Sequence, residues 1–157
     1  MNSEVPRLTS GERFDSWMSR ALPRLGPRLH RRAYRVSGGR IGAAKRGIPV
    51  GMLTTTGRRS GTPRTTPVMC MDEGWRVLVV ASNAGFDAPP AWLLNLASDP
   101  EATLELAGQA NPVRARVLEA AEREERWPRL LAHNPLYGDF QSRTSREIVV
   151  VALERQR

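Results

Sequence analysis

Three arginines fall within seven residues in Thr54-Thr55-Thr56-Gly57-Arg58-Arg59-Ser60-Gly61-Thr62-Pro63-Arg64-Thr65-Thr66-Pro67. Guanidinium forks contact phosphate or carboxylate in pairs, and a glycine-rich backbone exposes N–H groups that bind the same oxyanions. The segment reads either as an anion-binding loop or as a polar hairpin connection with solvated arginines. Other chemistry is poorly represented. His30 and His133 stand in unrelated contexts, and no metal site is expected from them. Cys70 is the only cysteine, which excludes an internal disulfide and a cysteine-based zinc site. Its Val-Met-Cys-Met setting is that of a buried, inert thiol. Glu119, Glu122, Glu124 and Glu125 form a charge run suited to a solvated helix face. There is no GxGxxG, Walker loop, HExxH or GxSxG. Hydrolysis has no residues to carry it.

The elements that must position the arginine loop follow from the text on either side. Ile48–Thr56 reads as a strand ended by Gly57. Residues 65–71 and 75–82 read as strands joined at Asp72-Glu73-Gly74. Residues 91–97 form a short helix stopped at Asp99-Pro100, and residues 102–106 and 113–118 form a second hairpin. Residues 120–133 are helical, and residues 146–153 close the domain as a strand. Six strands with helices inserted late point to an antiparallel barrel decorated by helices, not to alternating βαβ units. The expected class is mainly β with helices (α+β). The longest apolar run, residues 148–153, is far too short to span a membrane as a helix. With no signal-peptide core either, a cytoplasmic protein is expected.

The chain has 157 residues and a net charge of +8, and that excess has an address. Residues 1–46 carry 11 Lys and Arg against 3 acids, whereas residues 47–157 carry 13 of each sign. The division is therefore a basic extension, 1–46, and a charge-balanced domain, 47–157. Within the extension Phe14, Trp17, Met18, Leu22, Leu25 and Leu29 recur at helical spacing, with arginines largely off the stripe. Pro23 and Pro27 break the helix into two short pieces or a kink. This face suits either the domain surface or an anionic membrane surface, through residues 9–36. No helix-turn-helix, zinc finger or RNA-binding aromatic motif supports a nucleic-acid partner.

Residues 53–67, then Val79-Val80-Ala81-Ser82-Asn83-Ala84-Gly85, then Pro90-Ala91-Trp92-Leu93-Leu94-Asn95-Leu96 match a known pattern in order. Asn134-Pro135-Leu136-Tyr137-Gly138-Asp139-Phe140 and the residues through Ile148 continue it. Together these blocks resemble the deazaflavin-dependent nitroreductase and F420H2-dependent quinone reductase family of actinobacteria. The resemblance implies a split β-barrel like that of flavin-mononucleotide-binding oxidoreductases. It implies coenzyme F420, a deazaflavin bearing a phosphodiester and an oligoglutamate tail, and a quinone or nitroaromatic acceptor.

By the same resemblance, Arg58, Arg59, Ser60, Arg64, Thr65, Thr66, Pro67, Val68 and Met69 hold the tail, the phosphate and one ring edge. Val80, Ala81, Ser82 and Asn83 lie beside the ring, and Ala91, Trp92, Leu93, Leu94 and Asn95 form a helix against it. Ser82 and Tyr137 are the expected orienting groups, Tyr137 also as a proton source. The chain departs from the family nitroreductase pattern at Asn83, where a lysine is expected, and at Met69, Asn134 and Phe140, where tyrosines are expected. These changes remove phenols that would hydrogen-bond an acceptor. Two other readings stay open: a flavin-mononucleotide enzyme on the same barrel, and a non-enzymatic F420 carrier or membrane-attached binding protein. Monomer and homodimer are both compatible with the sequence.

Each arginine near an anionic leaflet contributes about 1 kcal/mol, so a few suffice for reversible adsorption. The full chain is expected to co-sediment with anionic vesicles at low salt and to be released by salt or neutral lipid. Deleting residues 1–36 should abolish co-sedimentation while F420 binding survives. A full chain that stays in the supernatant at low salt would place the amphipathic face against the domain instead.

Overall fold

The computed structural model describes residues 44–45 and 47–156. The amphipathic extension read from residues 1–46 lies almost entirely outside them. The strands are β1 (Ala44–Lys45), β2 (Ile48–Thr56), β3 (Pro63–Asp72), β4 (Arg76–Val80), β5 (Glu101–Leu106), β6 (Gln109–Val117) and β7 (Val150–Arg155). The helices are α1 (Ala91–Ser98), α2 (Ala120–His133) and α3 (Leu136–Ser142). All pairings are antiparallel, in the order β1-β2-β3-β4-β7-β6-β5, and a further β2–β5 pairing closes β2 through β7 into a six-stranded barrel. This is the expected split β-barrel.

The barrel has two apolar layers. Leu53, Val77, Val79, Leu104, Val151 and Leu153 point inward and form its interior. On the outer face of the same strands, Leu78, Val150 and Ala152 pack with Leu130 of α2 and Tyr137 of α3. β4 and β7 are thus covered on both faces, which is why they read as continuous apolar runs rather than alternating ones. Each buried Leu or Val side chain contributes about 1.5–3 kcal/mol by leaving water.

Besides shifted strand ends and the added β1, the structure differs from the sequence reading in three larger ways. β6 begins at Gln109 and contains Pro112, which pairs opposite Thr103 and accepts a bond from the Gln156 N–H through its carbonyl (3.1 Å). A proline is tolerated where the ladder does not need its missing N–H. β7 begins at Val150, because the four residues before it bond to side chains and loops instead of a strand. α3 was not legible as a helix: seven residues with Gly138 in the middle carry no periodic stripe.

At the start of β4 the Arg76 side chain is only 2% exposed, yet it is charged. Glu73 Oε2 (2.8 Å) and Glu122 Oε1 (2.5 Å) accept from it, and Trp75 lies under its guanidinium. Glu122 also accepts from Arg116 (2.9 Å), which in turn reaches Glu154 (3.1 Å). The acidic helix face is therefore not merely solvated: Glu122 neutralises a buried charge. Its bonds from Arg116 and Arg76 pull its carboxyl down to about 2.

A depressed carboxylate stabilises the fold fully above its unfolded value near 4.5, and that contribution is lost as pH falls toward 2. Glu122→Gln is expected to cost about 1.5–3 kcal/mol at neutral pH, read by denaturant unfolding. The variant should also show a shallower loss of stability between pH 4.5 and 2. An acid branch identical to that of the parent chain would remove Glu122 from this role.

Candidate active site

β3 is longer than its neighbour. It pairs with β2 along its length, from Thr56↔Pro63 to Val50↔Met69, but with β4 only from Cys70 to Asp72. No described strand pairs with the other edge of β3 over residues 63–69. Because β2 and β4 both run antiparallel to β3, their C-terminal ends meet this bare stretch from either side. The arginine loop leaves one of them and residues 81–90 leave the other.

The loop after β2 is tied down by its own backbone. Gly57 N–H donates to Thr62 O (2.9 Å), and Gly57 O accepts from Ser60 and Gly61. A Cβ on Gly57 would approach Ser60 Oγ to 2.9 Å and Thr62 O to 3.0 Å, so only glycine fits that tight approach. Asn95 of α1, 5% exposed, then links loop to barrel. Its Oδ1 accepts from the Arg58 backbone N–H (3.2 Å), and its Nδ2 donates to Thr55 Oγ1 (3.0 Å). Arg64 donates to Ser60 Oγ (3.4 Å), and Thr54 and Thr65 share a bond between hydroxyls (2.9 Å).

These arginines differ electrostatically from most of the others, though Arg143 and Arg146 also lack an ion pair among the described residues. Arg76, Arg114, Arg116, Arg123, Arg126, Arg129 and Arg155 all pair with carboxylates. Arg58, Arg59 and Arg64 are exposed and have no acidic partner among the described residues, and residues 51–71 contain no acid at all. An uncompensated cluster of three guanidinium groups beside a bare strand edge fits a ligand with phosphate and carboxylate groups.

The loop after β4 turns in an unusual way. Asn83 (φ 46), Ala84 (φ 55) and Gly85 (φ 81) are successive left-handed residues. For Ala84 that conformation costs about 1–2 kcal/mol, so the surroundings must impose it. A Cβ on Gly85 would sit 2.8 Å from Phe140 O and 2.9 Å from Arg143 Cβ, showing how closely α3 presses on the turn. Arg146 donates to Ala81 O (3.1 Å), Ser82 O (2.9 Å) and Phe86 O (3.2 Å). Ser82 is buried there, and its hydroxyl makes no hydrogen bond among the described residues.

Of the expected site residues, the strand register sets Arg58, Arg59, Ser60 and Arg64 at the Pro63 end of the bare edge Thr65–Met69, and Val80–Asn83 at its Met69 end. Met69 and Val80 share the outer face with Tyr137 and Phe140. Tyr137 is 2% exposed, and burial raises its phenol to about 12 against the opposing effect of Asn134. Trp92, 7% exposed, packs into the barrel interior with Leu53 and Ala81 instead of facing solvent. What α1 gives the arginine loop is Asn95. Asn134 is buried, with Nδ2 on Met69 Sδ (3.3 Å). Cys70 is buried and desolvated, its thiol pushed up to about 12, so it is inert as expected. Arg146 and Gln141 were missed by sequence reasoning, because an isolated arginine and glutamine have no pattern.

Among the described residues no helix is long and apolar enough to cross a membrane, and no cluster of acids, His and Cys could hold a metal. Comparison with known proteins shows the family. A solved F420-H2-dependent reductase is 34% identical and matches with a TM-score of 0.62, covering 68% of this chain and 94% of that one. A solved domain-swapped dimer matches with a TM-score of 0.64 at 29% identity, over 80% of this chain and 96% of that one. An F420H(2)-dependent quinone reductase of Mycobacterium tuberculosis is 33% identical over 144 residues, 89% of this chain and 97% of its own length. The model of the F420H(2)-dependent quinone reductases matches residues 26–155. The chain, with its split barrel, belongs to the F420H(2)-dependent quinone reductase family.

Proposed function

We propose that this end of the barrel binds reduced coenzyme F420 and presents it to a quinone-like acceptor. The observation that carries the reading is the arginine cluster with no acidic partner among the described residues, in a domain of 13 basic and 13 acidic residues. Arg58, Arg59 and Arg64, with Ser60, hold the phosphate and the carboxylate tail. Thr65, Thr66, Pro67, Val68 and Met69 line one side of the ring, and Val80, Ala81, Ser82 and Asn83 line the other. Ala91–Asn95 act at the back of the loop, Asn95 by fixing Arg58. F420H2, when bound, supplies a hydride as a two-electron donor. The protein's share is then placement and exclusion of water, and hydride delivery requires no general base.

Ser82 offers a hydroxyl with no other commitment among the described residues, suited to orienting the ring or the acceptor. Tyr137 holds its proton throughout the neutral range and beyond, so its hydroxyl stays available as a hydrogen-bond donor. Met69 and Phe140 leave the acceptor side largely apolar, which favours a quinone over a nitroaromatic. We also assign residues 9–36 to contact with an anionic membrane surface, where apolar quinones reside; the stripe and the charge division support this.

Arg58→Ala and Arg64→Ala are each expected to weaken F420 binding by about 1.5–3 kcal/mol, measured by titration at low salt. Unchanged affinity in both variants would contradict the tail assignment. Tyr137→Phe should keep F420 affinity within a few-fold and lower turnover of a quinone at saturating coenzyme. Because burial holds the phenol near 12, the parent rate should show no tyrosine titration between pH 6 and about 10. Wild-type turnover in the Phe variant would make Tyr137 a packing residue only.

A further inference from the structure

We propose that Arg146 is a positioning residue: its guanidinium sets the left-handed turn that carries Ser82 and Asn83, and so shapes the coenzyme site from behind. The inference rests on the coenzyme reading given above and extends it to a residue outside the ring contacts. Three backbone carbonyls, Ala81 O, Ser82 O and Phe86 O, receive its N–H groups at 2.9–3.2 Å. Those carbonyls bracket the three positive-φ residues on both sides. Ser82 O is doubly used, since it also accepts from Gly85 N–H (3.0 Å). Phe86 N–H closes the turn on Asn83 O (3.1 Å). One planar five-donor group can satisfy three diverging acceptors at once; an ammonium of similar reach cannot hold the same fork.

Arg146 is itself held in register. Gln141 Nε2 of α3 donates to Arg146 O (2.8 Å), and Gln141 Oε1 accepts from Ile148 N–H (2.9 Å). Thr144 Oγ1 donates to Asp87 Oδ1 (2.7 Å) on the same loop. The segment between α3 and β7 is therefore a strap from the helix bearing Tyr137 to the turn bearing Ser82. Among the described residues Arg146 forms no ion pair, so its donors are committed to backbone rather than to a charge. That commitment distinguishes it from the barrel's paired arginines. A left-handed alanine relaxes toward ordinary φ once its brackets are released.

The test compares the full chain with Arg146→Ala and Arg146→Lys. Amide hydrogen exchange of Gly85 and Phe86, without coenzyme, should accelerate at least tenfold in Arg146→Ala, while Val79 and Leu153 amides keep their rates. F420 affinity should fall at least tenfold in the same variant. Arg146→Lys should recover only part of both effects, and millimolar methylguanidinium should restore affinity to Arg146→Ala without changing the parent chain. Unchanged turn exchange, or equal acceleration of turn and core, overturns the inference. So does faster turn exchange with intact F420 affinity when Arg58→Ala abolishes binding. If Arg58→Ala, Arg64→Ala and Arg146→Ala all bind F420 like the parent, the coenzyme reading itself fails and the positioning role falls with it.

Discussion

The mismatch in length between β3 and β4 organises the functional end of this barrel. A strand of ten residues lies beside one of five, with the shared ladder at the end away from the site. The chain therefore leaves β4 while β3 still has seven residues to run. Two consequences are forced. One edge of β3 has backbone groups that no described strand satisfies, and the chain after Val80 must turn sharply aside. The left-handed turn at Asn83–Gly85 achieves that exit, with α3 and Arg143 in close contact behind it.

Charge follows the same division. At the β3–β4 turn, Arg76, Arg116 and Arg155 meet Glu73, Glu122, Glu154 and Asp72, so burial of a guanidinium is offset locally. At the other end of β3, the arginines of the loop have hydroxyls and an amide for company and no carboxylate among the described residues. A positive cluster with no carboxylate partner among the described residues is stabilised by an anionic ligand, and its attraction for one weakens with salt. The two ends thus use the same side chain for opposite purposes, one to close the fold and the other to receive a charge.

Much of this was legible in the sequence, for physical reasons. Strands such as β2 and β4 announce themselves by β-branched, apolar runs between turn residues, and the arginine loop by density of one residue type. The resemblance of ordered blocks gave the family, which no single block could have done. The site's supports were not legible. Asn95 matched a helix pattern, yet its work is a pair of hydrogen bonds to residues 37 and 40 positions away. Trp92 and Tyr137 also take places in the two apolar layers, which no local pattern announces, since an aromatic's burial depends on tertiary partners. α3 is too short for periodicity, and Arg146 acts on carbonyls 60 to 65 positions away, beyond any local pattern.

The central claim is that coenzyme F420 occupies the end of the barrel where β2 and β4 both finish. Titrating the isotope-labelled chain with F420 and following backbone amide shifts tests it residue by residue. The account predicts saturable shifts at Arg58–Ser60, Arg64–Met69, Ala81–Gly85 and Asn95, with Glu73–Arg76 and Glu122 unmoved. Shifts concentrated at Arg76, Arg116 and Glu122, with the arginine loop silent, would contradict it.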